Sequence, residues 1–289
     1  MATTVAKAFE EFLEFLEPTA TEKDTIKGRA GSVSGYLSSA FSSTSDMPLA
    51  DTRLIGSGAK GTAIHVVDDV DVLAAFGNSQ AVYNRYRYDS KQFLYRVKAA
   101  LDGYRVNVVG ARGQAVRLFY QSGPWADIAP VLPVEGGGYY LPAGDGSWML
   151  TNPDNDIVWF NQHNAELGYH LKPMVKLVKA WNRAHSSRFG SFHLEVMVAT
   201  AFSGLGGNYR EALKLWFEAP HISVRAPSTS AVLDGYMPYL SPARREALSV
   251  LSSSAERAAN ALAAEASGDH AEAMRIWRIV LGGDFPAYG

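Results

Sequence analysis

Asp69 and Asp71 lie two residues apart in a β-branched segment that also contains Val70 and Val72. In an extended strand, side chains at positions i and i+2 point the same way, so both carboxylates share one face and both valines the other. A third acid, Asp127, interrupts the apolar segment WADIAPVLP. A carboxylate in such surroundings needs a cation or another partner. The three acids together predict a site for divalent cations.

A glycine-rich turn, GSGAKG, precedes the acid pair and contains Gly56, Ser57, Gly58, Lys60 and Gly61. Glycine lets backbone amides approach an anion closely, and the serine hydroxyl and lysine ammonium would add a hydrogen bond and a charge to a bound phosphate. Magnesium is commonly held by one or two carboxylates together with substrate phosphates. The pattern therefore predicts in-line displacement at phosphorus assisted by two Mg²⁺ ions, with Mn²⁺ as the alternative ion.

A sheet must hold the acids, and helices must cover it. Residue type and periodicity predict extended segments at Ala63–Val72, 105–110, 115–120 and 125–133, with loops and short hairpins over Val134–Asn155. Apolar residues at helical spacing predict helices at 4–17, 22–41, 80–102, 157–185, 191–205, 208–219, 242–265 and 269–281.

The change from mixed to helical pattern near residue 155 predicts an α+β protein of two lobes with a cleft between them. Residues 1–155 would form the catalytic core with N-terminal brace helices, and residues 156–289 a helical lobe that closes the cleft. Clefts between lobes are favoured ligand sites. The second helix, from residue 22 to about residue 41, would pack as a long brace behind the sheet.

Composition narrows the classes of function. The 289 residues contain no cysteine, which excludes disulfides, iron–sulfur clusters and thiolate zinc sites, and suits a reducing cytoplasm. The acidic, amphipathic N-terminus and the absence of a long apolar run predict neither a signal peptide nor a membrane span. The net charge of −2 gives no general attraction to nucleic acid, and the basic residues between Arg85 and Arg117 are interpreted as a solvated face. Small soluble substrates are expected.

Seven motifs, taken together, resemble a known family. They are GSGAKGTAI at 56–64, DVDV at 69–72, WADIAPVLP at 125–133, SWMLTNP at 147–153, LVKAWNR at 177–183, SFHLEVM at 191–197 and IWRIVLGGDFP at 276–286. The first three resemble the nucleotidyltransferase superfamily that shares its catalytic layer with DNA polymerase beta. The full set resembles the cGAS/DncV-like family, the bacterial CD-NTases that make cyclic oligonucleotide signals. The resemblance implies a two-lobed polymerase-beta-like fold with a mixed sheet.

The resemblance also implies roles for particular residues. The metal ligands and catalytic acids would be Asp69, Asp71 and Asp127. Nucleotide binding would involve Gly56 and Ser57 at the β- and γ-phosphates, Lys60 and Lys179 near the triphosphate, Ser191 at the terminal phosphate, Phe192 stacked on a base, and Thr151 and Asn152 at base edges.

Simpler interpretations stand beside several of these roles. Lys179 could be one more solvated lysine, and Phe192 a core aromatic. Ser191 could be a helix N-cap, with Glu195 complementing the helix dipole in the first turn. Asn152, which precedes a proline, could simply shape a turn.

The activity implied by the resemblance is synthesis of a cyclic di- or oligonucleotide second messenger from NTPs, with release of pyrophosphate. In bacteria it would serve anti-phage (CBASS) signalling by a monomer whose product reaches a separate effector. Regulatory or conjugating partners encoded nearby are a further expectation, the latter because the sequence finishes in FPAYG at Gly289. Two alternatives stay open: nucleotidyl transfer to an RNA end or a protein, and a nucleotide-binding regulator without turnover.

Overall fold

A mixed seven-stranded sheet forms the centre of the N-terminal half. The computed structural model describes residues 2–103, 109–112, 114–219 and 242–289. The strands run in the order β1-β2-β5-β4-β3, and β6 and β7 extend the sheet from β5. Their bounds are β1 Leu49–Leu54, β2 Asp69–Phe76, β3 Val109–Arg112, β4 Ala115–Leu118, β5 Trp125–Pro133, β6 Tyr139–Pro142 and β7 Trp148–Thr151.

Helices cover one face of this sheet and form the C-terminal half, as the α+β prediction required. The described helices are α1 Val5–Leu16, α2 Ala20–Ala40, α3 Gly56–Lys60, α4 Ser79–Tyr86, α5 Ser90–Leu101, α6 Pro153–Glu166, α7 Leu171–Ala184, α8 Ser191–Ala201, α9 Tyr209–Glu218, α10 Pro242–Ala266 and α11 His270–Leu281. No helix among the described residues has the length and apolar character needed to cross a membrane.

Strand β2 pairs in parallel with β5, whereas the other pairings in the sheet are antiparallel. The prediction of a strand over Ala63–Val72 was wrong in its first part, because β2 begins at Asp69. The preceding backbone finds its partners on helices instead. The Val67 N–H, for example, donates to the Glu22 carboxylate of α2 at 3.0 Å. This anchored loop leads directly into the acid pair.

Two helices predicted as continuous are each divided in two. The segment 80–102 forms α4 and α5, because the Asp89 side chain accepts from the Lys91 N–H and starts a new helix. The segment 157–185 forms α6 and α7, because the chain reverses through positive φ at Gly168 and Tyr169. The predicted extended segment 105–110 lies partly outside the described residues.

Two large hydrophobic clusters organise the packing. One joins α2 and α5 to the sheet, so α2 is the brace that the sequence predicted. The other joins α6 to α11, with Trp181, Trp216 and Trp277 fully buried, and it also contains the buried Phe285 of the tail. Helix α1 packs in this second cluster, against α7 and α11. The division into two lobes at residue 155 stays a prediction. Helix α1, which was expected to brace the catalytic core, packs with the helices of the C-terminal half instead.

Candidate active site

The three predicted acids meet on two neighbouring parallel strands. Asp71 of β2 and Asp127 of β5 are directly paired in the strand register, and Asp69 is paired with Trp125. One carboxylate oxygen from each of Asp69, Asp71 and Asp127 lies within 4.8 Å of the others. Val70 on the opposite face is buried in the core, which confirms the predicted division of β2 into an acid face and an apolar face.

The crowding of these acids has an electrostatic consequence. Burial and the nearby charges of Asp69, Asp127 and Glu195 raise the pKa of Asp71 to about 7. Burial and Asp127 also raise the pKa of Asp69. Carboxylates that resist ionisation for these reasons are stabilised when a cation binds among them, and oxygen ligands are those that Mg²⁺ prefers. The cluster therefore fits a divalent metal site.

Arg117 of β4 is a member of the site that sequence reasoning missed. It donates to both oxygens of Asp127, Nε at 2.6 Å and Nη2 at 2.5 Å, because the two residues are directly paired across β4 and β5. This pairing raises the pKa of Arg117. Its guanidinium carbon also lies 4.4 Å from the ring centroid of Trp125. In the sequence Arg117 belonged to a basic run interpreted as solvated, and only the strand register identifies its partner.

The glycine-rich turn is a short helix placed against the acids. The Ile55 N–H donates to the Asp71 carbonyl oxygen at 3.0 Å, which fixes the start of α3 beside β2. Gly56 has a φ of 61°, and a Cβ built on it would lie 2.1 Å from the Oδ2 atom of Asp71. No other residue type leaves room for that carboxylate. Ser57 follows at the start of α3 and faces the cavities described below.

Opposite the acids, two buried lysines meet on one carboxylate. Lys60 of α3 and Lys179 of α7 both form ion pairs with Glu195 of α8. The Lys179 Nζ lies 2.7 Å from Glu195 Oε1 and also donates to Thr62. Lys179 is only 6% exposed, which contradicts its interpretation as a solvated lysine. Burial alone would raise the pKa of Glu195, but Lys179 and Lys60 lower it to about 2.

The simpler interpretation of Ser191 makes it the N-cap of α8, with Glu195 as a dipole partner in the first turn. That interpretation was wrong, because the N-cap is Gly190, and no side chain caps the helix. Ser191 is the first helical residue, which leaves its hydroxyl facing the cavities. The sequence did contain a signal: Glu195 is a charged residue among the apolar residues of SFHLEVM, and a buried charge needs a partner of opposite sign.

The remaining predicted residues divide into two groups. Thr151 and the half-buried Phe192 line a cavity with Gly56, and Phe192 lies under Lys60, whose Nζ is 4.5 Å from the ring centroid. Asn152 is the N-cap of α6 and accepts from the Asn155 N–H at 3.2 Å, so it shapes the turn as the simpler interpretation proposed. Asn152 does not line that cavity.

Two cavities adjoin at Ser57 and Ser191, which line both. The larger, of about 470 Å³, contains Asp69, Arg117 and Lys179 among its lining residues. The smaller, of about 180 Å³, is lined by residues of α3, α6 and α8 together with Asp71 and Thr151. Asp69 thus borders one space and Asp71 the other, an arrangement suited to bringing two substrates to one reactive centre.

Comparison with known proteins gives a consistent result. The model of the family described as Second Messenger Oligonucleotide or Dinucleotide Synthetase domain matches residues 3–164. A probable cyclic nucleotide synthase of Bacillus cereus strain VD146 is 22% identical over 83% of this chain and 84% of its own length. A cyclic AMP-AMP-AMP synthase of an Acinetobacter species is 26% identical over 81% of this chain and 72% of its own length.

A solved structure allows the fold of this chain to be compared with that of a known protein. The complex of Escherichia coli MS115-1 CdnC with HORMA-deltaN superposes with a TM-score of 0.69 at 21% identity, over 98% of each chain. At this identity the likeness shows a common fold. It agrees with the two-lobed nucleotidyltransferase architecture that the seven sequence motifs implied.

Proposed function

We propose that this chain, which belongs to the Second Messenger Oligonucleotide or Dinucleotide Synthetase family, takes ATP as its substrate and makes a cyclic triadenylate. The premise is that members of this family make a cyclic nucleotide from nucleoside triphosphates, and this chain does so too. Support for adenine and for three units comes from the relatives in Acinetobacter and Escherichia coli, 26% and 27% identical, which are cyclic AMP-AMP-AMP synthases. The observation that carries nucleotidyl transfer at this site is the convergence of Asp69, Asp71 and Asp127 within 4.8 Å beside the Gly56 turn.

The donor nucleotide would occupy the smaller cavity. Its β- and γ-phosphates would receive hydrogen bonds from the amides of Gly56 and Ser57 and from the hydroxyl of Ser191, with Lys60 supplying positive charge. The base would stack on Phe192 near Thr151. This placement directs the α-phosphate toward the acids, because Gly56 approaches Asp71 so closely.

Asp69, Asp71 and Asp127 would hold two Mg²⁺ ions, with Mn²⁺ as a substitute. When bound, these ions would supply positive charge at the attacking oxygen and at the phosphate oxygens of an in-line displacement. The chain's own contribution is the spacing of the carboxylates and the exclusion of water by the buried residues of β2 and β5.

The acceptor nucleotide would enter the larger cavity, with a ribose hydroxyl directed at Asp127. The Asp127 carboxylate takes the hydroxyl proton after one of its oxygens exchanges Arg117 for the hydroxyl. The ribose oxygen then forms a bond to the α-phosphorus of the donor, the bond from that phosphorus to the bridging oxygen breaks, and pyrophosphate leaves. Repetition extends the chain, and attack by the last free hydroxyl on the remaining 5′ α-phosphate closes the ring.

The test is incubation of the purified protein with each labelled NTP, singly and together, with Mg²⁺ or Mn²⁺. We expect a phosphatase-resistant product from ATP alone, with the mass of cyclic triadenylate. Asp69→Ala/Asp71→Ala should abolish it, since loss of even a general base alone typically lowers rates about 10²–10⁴-fold. Asp145→Ala is the matched control, because Asp145 is exposed, accepts hydrogen bonds from Ser147 and lines neither cavity. Label transferred to RNA or to protein instead would contradict the proposal.

We also propose that a regulatory protein controls the synthase in bacterial anti-phage signalling and that the product activates a separate effector. Support comes from the fold relative CdnC, whose structure contains HORMA-deltaN. The measurement compares product formation by the chain alone with formation after co-expression of proteins encoded beside it. Full activity of the chain alone, unchanged by any of them, would contradict control by a partner.

A further inference from the structure

Glu195 is a carboxylate in the centre of the apolar helix α8, only 1% exposed. A buried carboxylate is stable only when cations and hydrogen-bond donors satisfy it. Here Lys60 pairs with one oxygen, and Lys179 at 2.7 Å and the Thr62 hydroxyl at 2.5 Å donate to the other. These partners come from α3, from the loop after it and from α7, so Glu195 joins three separate segments.

The contacts of Lys179 leave it no free ammonium proton. Its Nζ donates to Glu195 Oε1 at 2.7 Å, to the Thr62 carbonyl oxygen at 3.0 Å and to Thr62 Oγ1 at 3.1 Å. An ammonium group has three donors, so all three are satisfied within the protein. Lys179 is therefore held against the loop that follows α3 rather than extended toward a ligand.

Lys60 is held differently. Its ammonium contacts Glu195 on one side and the face of Phe192 on another, 4.5 Å from the ring centroid, and its side chain lines the smaller cavity beside Ser57. Two buried lysines without a counter-charge would repel each other, and one would lose its proton or turn away. Glu195 leaves the cluster with one net positive charge.

We propose that Glu195 is a positioning residue that holds Lys60 at the triphosphate site and fixes Lys179 against Thr62, so that the donor triphosphate meets a cation already in place. The inference rests on the proposed function, in which the triphosphate lies along Ser57 and Ser191. Preorganised charge of this kind acts without reorganisation when the ligand binds. Glu195 borders the smaller cavity but is only 1% exposed, so it would act through the two lysines rather than by binding the nucleotide itself.

The test begins with Glu195→Gln, which keeps the shape of the side chain and removes its charge. We expect KM for ATP to rise about tenfold, the size of one lost charge-assisted contact to phosphate, with a smaller change in kcat. Inhibition by inorganic tripolyphosphate should weaken by a similar factor. Inhibition by adenosine should not change, because adenosine has no phosphate. Equal weakening for both inhibitors would indicate a merely structural role and overturn the inference.

A double-variant comparison tests whether Glu195 acts through Lys60. If it does, Lys60→Met/Glu195→Gln should show the KM of Lys60→Met alone, since the positioned group is already absent. Multiplication of the two single effects would overturn the inference. If Glu195→Gln does not fold, Glu195→Asp is tested in the same assay. Aspartate keeps the negative charge, but its side chain is one methylene shorter and no longer reaches Lys60 in the same way. An unchanged KM and unchanged tripolyphosphate inhibition would overturn the inference.

Glu218→Gln is the matched control, because Glu218 pairs with Lys214 on α9 and lies outside both cavities. The wild-type protein separates the two levels of argument. If it makes no cyclic product from any NTP, the proposed function fails, and the inference with it. If it makes the product and Glu195→Gln has the wild-type KM and tripolyphosphate inhibition, the inference alone fails.

Discussion

The two sides of the active site are built in opposite ways. On the sheet side, Asp71 and Asp127 lie on adjacent strands, and burial together with like charges raises the pKa of Asp71 to about 7. On the helical side, Lys60 and Lys179 hold the pKa of Glu195 at about 2. On the sheet side a bound cation would relieve the repulsion among the acids, whereas on the helical side the carboxylate is already paired with two lysines of the protein.

Under the proposed function, this difference would separate metal binding from nucleotide binding. Changes on the sheet side should alter metal dependence and turnover, because the acids would act together with the ions they hold. Changes on the helical side should alter the affinity for the triphosphate. Variants that fail to divide in this way would show that the two sides work as one unit.

The largest expected effect is that of Gly56→Ala. A Cβ at this position would lie 2.1 Å from Asp71 Oδ2, and the φ of 61° adds backbone strain. Either the acid or the turn must move. Since a displacement of about 1 Å can lower rates about 10²-fold, we expect kcat for product formation to fall by at least that factor. Steady-state pyrophosphate release at saturating ATP measures it.

Gly58→Ala is the control for the same turn. Its Cβ would meet only the Ile26 side chain at 3.7 Å, in ordinary contact. Because alanine is favoured over glycine inside a helix, this variant should be as stable as the wild type or more stable, by about 0.5–1 kcal/mol. Wild-type turnover by Gly56→Ala would show that the close approach to Asp71 has no catalytic role.

The sheet side of the site shows which features can be predicted from the sequence and which cannot. The acid face of β2 could be predicted because the spacing of Asp69 and Asp71 matches the strand repeat, which is a local property. The pairing of Arg117 with Asp127 could not, because it depends on the register between β4 and β5. Register is determined by packing and turn geometry rather than by residue type alone.

On the helical side, local sequence patterns could not predict which side chains contact each other. The motifs around Lys179 and Glu195 identified the lobe, yet their contacts with each other and with Thr62 arise only when α7 and α8 pack on the loop after α3. The first part of the strand predicted over residues 63–72 was wrong for a related reason. Its β-branched residues suit a strand, but the Val67 N–H donates to Glu22, a side chain on α2, rather than to another strand.

The second prediction concerns the charge that Arg117 places beside the acids. Arg117→Gln removes the cation that neutralises Asp127. Divalent cations should then bind more tightly, and we expect the Mg²⁺ concentration for half-maximal activity to fall about tenfold, which corresponds to about 1.4 kcal/mol. Mg²⁺ titration of product formation at saturating ATP measures this change.

Arg96→Gln is the matched control, since Arg96 of α5 pairs with Asp46 in the loop before β1 and lines neither cavity. It should leave the Mg²⁺ dependence unchanged. A higher Mg²⁺ requirement in Arg117→Gln would mean that Arg117 serves to orient Asp127 for the metal, and the sheet side would then be preorganised like the helical side.

The smallest expected effect belongs to Phe192. Phe192→Leu keeps an apolar side chain but removes the ring that lies 4.5 Å from the Lys60 ammonium and that would stack on the base. Cation–π contacts that are not fully desolvated contribute about 0.5–1 kcal/mol, so KM for ATP should rise about two- to fivefold while the Mg²⁺ dependence stays unchanged. Phe192→Tyr retains the ring and should retain the wild-type KM. If Phe192→Leu lowered kcat at unchanged KM, the helical side would be contributing to the transition state rather than to binding, and the separation of the two sides would fail.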